Sequence, residues 1–81
     1  MTKLINNLEK MSKEFPIGSR VRVVALPEYI KTNDPMPMLR PPGLIQLGEE
    51  GVVLDRHPGD YWGVSFASGS FLLDSQYIES V

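Results

Sequence analysis

Five of the chain's seven prolines fall between residues 27 and 42, at Pro27, Pro35, Pro37, Pro41 and Pro42. Proline has no N–H to give a sheet or helix ladder, and it pushes the residue before it toward extended backbone. No central strand or helix therefore runs through Asp34 to Gly43. The stretch from Leu26 to Gly48 also carries Tyr29, Ile30, Met36, Met38, Leu39, Leu44 and Ile45. That is too apolar for a disordered linker. A connection this long inside a small domain is usually functional. The sequence predicts an ordered excursion whose apolar residues cover part of the core.

Strand signals flank the excursion. Arg20-Val21-Arg22-Val23-Val24 alternates polar and apolar, so Val21 and Val23 face inward and the arginines outward. Val52 to Asp55 reads as a strand. His57-Pro58-Gly59-Asp60 has the chemistry of a type II turn. Tyr61 to Phe66 follows, with Trp62, Val64 and Phe66 on one face. Ser68-Gly69 is a tight turn, Ser70 to Leu73 a further strand, and Tyr77 to Val81 the last. Short strands with turns at close intervals predict an all-β fold, a small five-stranded barrel with Val21, Val23, Val53, Val64 and Phe66 inside.

Residues 1–15 differ in character. Leu4, Leu8, Met11 and Phe15 recur at helical spacing, which predicts a short N-terminal helical or disordered arm. Residues 16–81 form the barrel domain. An 81-residue chain holds one small core and leaves no room for a second lobe. No apolar run reaches a membrane span, and the N-terminus lacks the continuous apolar segment of a secretory signal. With no cysteine, disulfides and thiolate metal sites are excluded, and the expected compartment is cytoplasmic.

The net charge is −2 and the pI about 5.2. Residues 1–40 hold seven Lys/Arg against four Asp/Glu, and residues 41–81 hold one Arg against six acids. An acidic chain disfavours non-specific phosphate binding. The sequence offers no nucleophile with its base, and no phosphate-cradling glycine motif. Its single histidine, His57, sits beside a turn with Asp55 and Asp60 near it in sequence. Zinc usually takes more nitrogen or sulfur ligands than this. Glu49 and Glu50 are adjacent, and adjacent side chains of an extended chain point to opposite faces. The chain is expected to be no enzyme, with no cofactor and no metal. The prolines at 35, 37, 41 and 42 contain no pair three apart, so the excursion is not itself a PxxP ligand.

Two resemblances enter here. Ser75-Gln76-Tyr77-Ile78 looks like the segment that closes many SH3 domains. More of the chain, Gly18 to Glu79, resembles the SipA family of small cyanobacterial regulators. The matching stretches are Arg20 to Pro27, Lys31-Thr32, Asp34-Pro35-Met36-Pro37-Met38-Leu39-Arg40-Pro41-Pro42, Gly48 to Gly51, Pro58-Gly59, Tyr61 to Val64 and Phe71 to Tyr77. The resemblance implies an SH3-like barrel that binds and modulates a sensor histidine kinase of the NblS type, within two-component stress and high-light signalling.

The expected partner-binding residues are Tyr29, Lys31, Met36, Met38, Arg40, Trp62 and Tyr77. Aromatic residues, Met and Arg are enriched at interfaces, and the stiff backbone before Pro41 presents Arg40 at low entropic cost. For Met36, Met38 and Trp62 a core position is the competing reading. Two other functions stay open. One is nucleic-acid binding through Arg20, Arg22, Lys31 and Arg40. The other is an accessory subunit of an enzyme complex, in the manner of the similarly sized variable chain of ferredoxin–thioredoxin reductase.

Overall fold

The computed structural model describes residues 14–81. The helical pattern expected over Leu4, Leu8 and Met11 lies outside the described residues. The fold is mostly β. Strands β1 (Arg20–Val23), β2 (Ile30–Thr32), β3 (Leu39–Arg40), β4 (Glu50–His57), β5 (Tyr61–Phe66), β6 (Gly69–Asp74) and β7 (Ile78–Ser80) follow in order, with 3₁₀ turns at Pro42–Leu44 and Ser75–Tyr77. All pairings are antiparallel, in one open sheet of order β3-β2-β6-β5-β4-β1-β7.

The sheet has seven strands where five were expected, and its pairing leaves β3 and β7 as edges rather than closing a five-stranded barrel. The two additional strands come from the proline-rich excursion. Residues 28–34 and 38–40 are free of proline, which leaves just enough backbone to pair. Both strands are too short for alternation to reveal them. Ile30 pairs with Arg40 and Lys31 with Leu39, while Lys31 and Thr32 pair with Leu72 and Phe71 of β6. The excursion is thus a hairpin laid against the sheet.

One core gathers residues from every strand except β3. Val21, Val23, Val53, Val64 and Phe66 are buried, as alternation predicted, together with Phe15, Ile30, Ile45, Trp62, Phe71, Leu73 and Ile78. In a flat sheet β2 and β7 would stand about 24 Å apart, at about 4.8 Å per strand. Ile30 and Ile78 nevertheless share one buried cluster. The sheet must therefore curl around its own apolar face, which removes the need for a helical layer. Two isoleucines fasten the excursion: Ile30 on β2, and Ile45 after the first 3₁₀ turn, each only 1% exposed. Burying each contributes roughly 1.5–3 kcal/mol.

Local chemistry sets the turns. Gly59 has φ 75°, in line with the predicted turn, and Asp60 adds a second positive φ of 63°. Asp tolerates that region better than most residues. The next turn is centred on Ala67-Ser68, since Phe66 already pairs with Gly69. Asp74 caps the second 3₁₀ turn by accepting from the Gln76 N–H.

Phe15, assigned from sequence to the arm, belongs to the core. It is 4% exposed and meets Trp62 edge-on at a centroid distance of 5.2 Å. Beside it the Glu14 carboxylate accepts from Arg56 at 2.8 Å, and Arg56 stacks over the Trp62 ring at 5.3 Å. The amphipathic pattern ran Phe15 into the preceding residues and hid this role. Phe15→Ala should cost roughly 3–5 kcal/mol through lost burial and a cavity. Urea unfolding measures it, and a loss below about 1 kcal/mol would place Phe15 outside the core in solution.

Candidate functional site

Strand register decides which side chains leave the core and meet solvent. On the outer face, Asp55, Gly63, Leu72, Lys31 and Leu39 form one cross-strand row from β4 to β3. His57, Tyr61 and Asp74 form the row beside it. A bulge at Leu54 places them there, because Val53 pairs with Val64 but Asp55 with Gly63. If the pairing ran on regularly through Leu54, Asp55 would face Trp62 and point into the core, and Arg56 would face Tyr61.

Gly63 leaves a dip in the outer face. Across it the Asn33 amide donates to Asp55 Oδ1 at 3.4 Å, and His57 Nε2 lies 2.9 Å from the same oxygen. This links the excursion to β4. Of the two acids near His57 in sequence, Asp55 is the one that meets it. Among the described residues no group of three or more His, Cys, Asp or Glu is arranged to hold a metal ion.

The other end of this face carries a groove of about 250 Å³. Tyr29, Lys31 and Leu39 supply one wall, Tyr61 and Leu72 the floor, and Tyr77 with Pro27 the far side. All three tyrosines of the chain converge here. Each arrives by a separate route. Tyr29 precedes β2, Tyr61 opens β5 with its outward phase, and Tyr77 ends the 3₁₀ turn capped by Asp74. Lys31 Nζ stands 5.6 Å from the Tyr61 ring centroid. Tyr29 and Leu39 are each 63% exposed, so the wall is open to a partner.

The residues expected to bind a partner do not share one surface. Tyr29, Lys31 and Tyr77 line the groove. Arg40 faces the opposite side of the hairpin, because it pairs with inward-facing Ile30, and it borders a second, wider hollow of about 630 Å³ with Thr32 and Phe71. Met38 bridges the hairpin through two bonds with Thr32, its N–H to Oγ1 at 2.9 Å and its carbonyl from the Thr32 N–H at 2.8 Å. Met36 and Met38 are both exposed, Met36 at 83%. Trp62 is a correction. It is 2% exposed, its indole N–H meets no acceptor among the described residues, and it faces inward with Val64 and Phe66. Tyr61 and Leu72 were missed. The signal for Tyr61 was present, since it alternates with buried Trp62.

The basic patch considered for nucleic acid is divided. Arg20 pairs with Glu50 at 3.5 Å and Arg22 with Glu79 at 2.6 Å, both on the β1 side. Three strands separate β1 from β2, which carries Lys31. Among the described residues Lys31 and Arg40 have no carboxylate partner.

Residues 17–78 match the family model described as protein chlororespiratory reduction 42-like. The chain is 32% identical over 80 residues to the Arabidopsis thaliana protein chlororespiratory reduction 42, chloroplastic. The alignment spans 98% of this chain and 66% of that protein, so the chain covers just under two thirds of its relative. No solved structure gives a significant match. These findings overturn the SipA assignment, and with it the NblS-type kinase partner, the cyanobacterial two-component setting and the stress role. The cytoplasmic expectation falls as well, since the relative is chloroplastic. The physical reason lies in the stretches that carried the resemblance. They are the strands, turns and groove walls of the fold, and they identify a scaffold rather than its partner.

Two glycines separate scaffold from site. A Cβ on Gly51 would strike the Ser65 backbone carbonyl at 2.7 Å, whereas one on Gly63 would strike only side-chain atoms, those of Asp55 and Asn33. Gly51→Ala should cost about 1–3 kcal/mol through overpacking. Gly63→Ala should cost less, about 1 kcal/mol, as the Asn33–Asp55 bond opens. Thermal melts of the two variants check the order, and equal losses would contradict it.

Proposed function

The chain belongs to the chlororespiratory reduction 42-like family, and from that premise we propose that it is a non-catalytic accessory protein of an enzyme complex, docking through its tyrosine-lined groove. The finer architecture in this reading is SH3-like: a curled sheet whose long first connection and last 3₁₀ turn flank a binding groove. One observation carries the proposal. Every tyrosine of the chain reaches the same open groove by an independent element of the fold. Tyrosine supplies rigid contact area with a polar tip, and it is enriched where proteins meet. The exposed Leu39, Met36 and Met38 extend the apolar surface along the hairpin.

The name of the Arabidopsis relative ties that protein to chlororespiratory reduction. In this proposal the present chain serves the same process by contact. It carries no cysteine and one histidine, and that histidine is engaged with Asp55. Electron transfer then belongs to other subunits. Nucleic-acid binding is the weaker reading, because Arg20 and Arg22 already face carboxylates and the chain is acidic.

The test is co-migration of the tagged full chain with an enzyme complex on native gels of its own cells. Tyr29→Ala combined with Leu39→Ala should keep the melting midpoint, since both residues are exposed. It should weaken association at least about tenfold, or about 1.4 kcal/mol. Undiminished co-migration of the double variant would exclude the groove as the docking surface. Nucleic acid bound with a steep salt dependence would favour the weaker reading.

A further inference from the structure

Taking the groove as the docking surface, we propose that its occupant is an extended, apolar segment of the partner protein that places a carboxylate on Lys31. The size of the groove comes first. About 250 Å³ holds one or two side chains at a time. An α-helix with its side chains is about 10–12 Å across and would ride above such a site. An extended segment sets alternate residues into it.

The walls specify the apolar part. Tyr29, Tyr61 and Tyr77 offer ring faces, with Leu39 and Leu72 between them. The charge specifies the rest. Arg20, Arg22 and Arg56 each hold a carboxylate, whereas Lys31 holds none among the described residues. Its ammonium lies instead over the Tyr61 ring, within the groove. The acidic residue lining the groove is Asp74, which accepts from the Gln76 N–H and forms no ion pair with Lys31. A segment that covers the tyrosines would desolvate Lys31, and a buried cation is costly unless paired. A partner carboxylate meets that need, whereas a partner lysine or arginine would add repulsion. Arg40 does not share this role, because it projects from the opposite side of the hairpin.

Three fluorescein-labelled peptides of sequence Pro-Leu-Pro-X-Leu-Pro-Leu, with X as Glu, Gln or Lys, test the proposal. Their prolines hold them extended. Each is titrated into the full chain at low ionic strength and followed by anisotropy. The Glu peptide should bind at least fivefold tighter than the other two. Lys31→Glu should reverse the order in favour of the Lys peptide, while Arg40→Glu should leave it unchanged. The proposal is overturned if the three peptides bind alike, if none binds, or if Arg40→Glu rather than Lys31→Glu shifts the order. The native-gel assay separates the two readings. A Lys31→Glu chain that still co-migrates, where the Tyr29/Leu39 double variant does not, removes the acidic segment and leaves the groove standing.

Discussion

Burial of Ile30 is the contact on which the site depends. The excursion holds five prolines within residues 27–42 and forms few backbone hydrogen bonds of its own. Ile30 enters the common core and draws β2 against β6, and the pairing of Lys31 and Thr32 with Leu72 and Phe71 follows. Ile45 fixes the returning end, and Ser68 Oγ donates to the Leu44 carbonyl beside it. Held at both ends, a connection that proline would otherwise leave open becomes one wall of a groove. The prolines then assist, because they narrow the conformations the free chain could adopt.

Alternation places the chemistry. Each core residue on β5 and β6 has an outward neighbour, so the phase that buries Trp62, Val64, Phe71 and Leu73 also turns Tyr61 and Leu72 outward, half-buried, with Gly63 covered between them. The bulge at Leu54 corrects the phase of β4, turning Asp55 outward and Arg56 toward Trp62. Charges on the outer face are then matched across strands at β1 and left open at β2. Exposed pairs such as Arg22–Glu79 contribute little to stability. Their effect is to neutralise one side of the molecule and, among the described residues, to leave Lys31 unpaired in the groove and Arg40 unpaired on the opposite side of the hairpin.

Much of the scaffold was legible in the sequence. The inward phase of Val21, Val23, Val53, Val64 and Phe66 is a period-two pattern with turn residues between. Trp62 obeyed the same pattern, and reading it as a contact residue set its chemistry above its phase. The hairpin was not legible, because β2 and β3 have three and two residues, too few for any period. Phe15 was hidden by a helical spacing that continued into it. Tyr29, Lys31 and Tyr77 were recognised as surface candidates, but their meeting with Tyr61 depends on β2 pairing with β6, a non-local choice. The family was the least legible feature, since the motifs that carry a resemblance here are parts of the scaffold.

Amide hydrogen exchange of Thr32 and Asn33 tests the central claim, that the proline-rich excursion is an ordered wall of the groove. The Thr32 N–H donates to the Met38 carbonyl at 2.8 Å and the Asn33 N–H to the Ser70 carbonyl at 2.9 Å. Both amides should be protected to within about 2 kcal/mol of the β5 amides, as members of the same cooperative unit. Exchange of both at the rate of an open loop, with β5 fully protected, would mean that the hairpin does not dock and that the groove has no fixed wall.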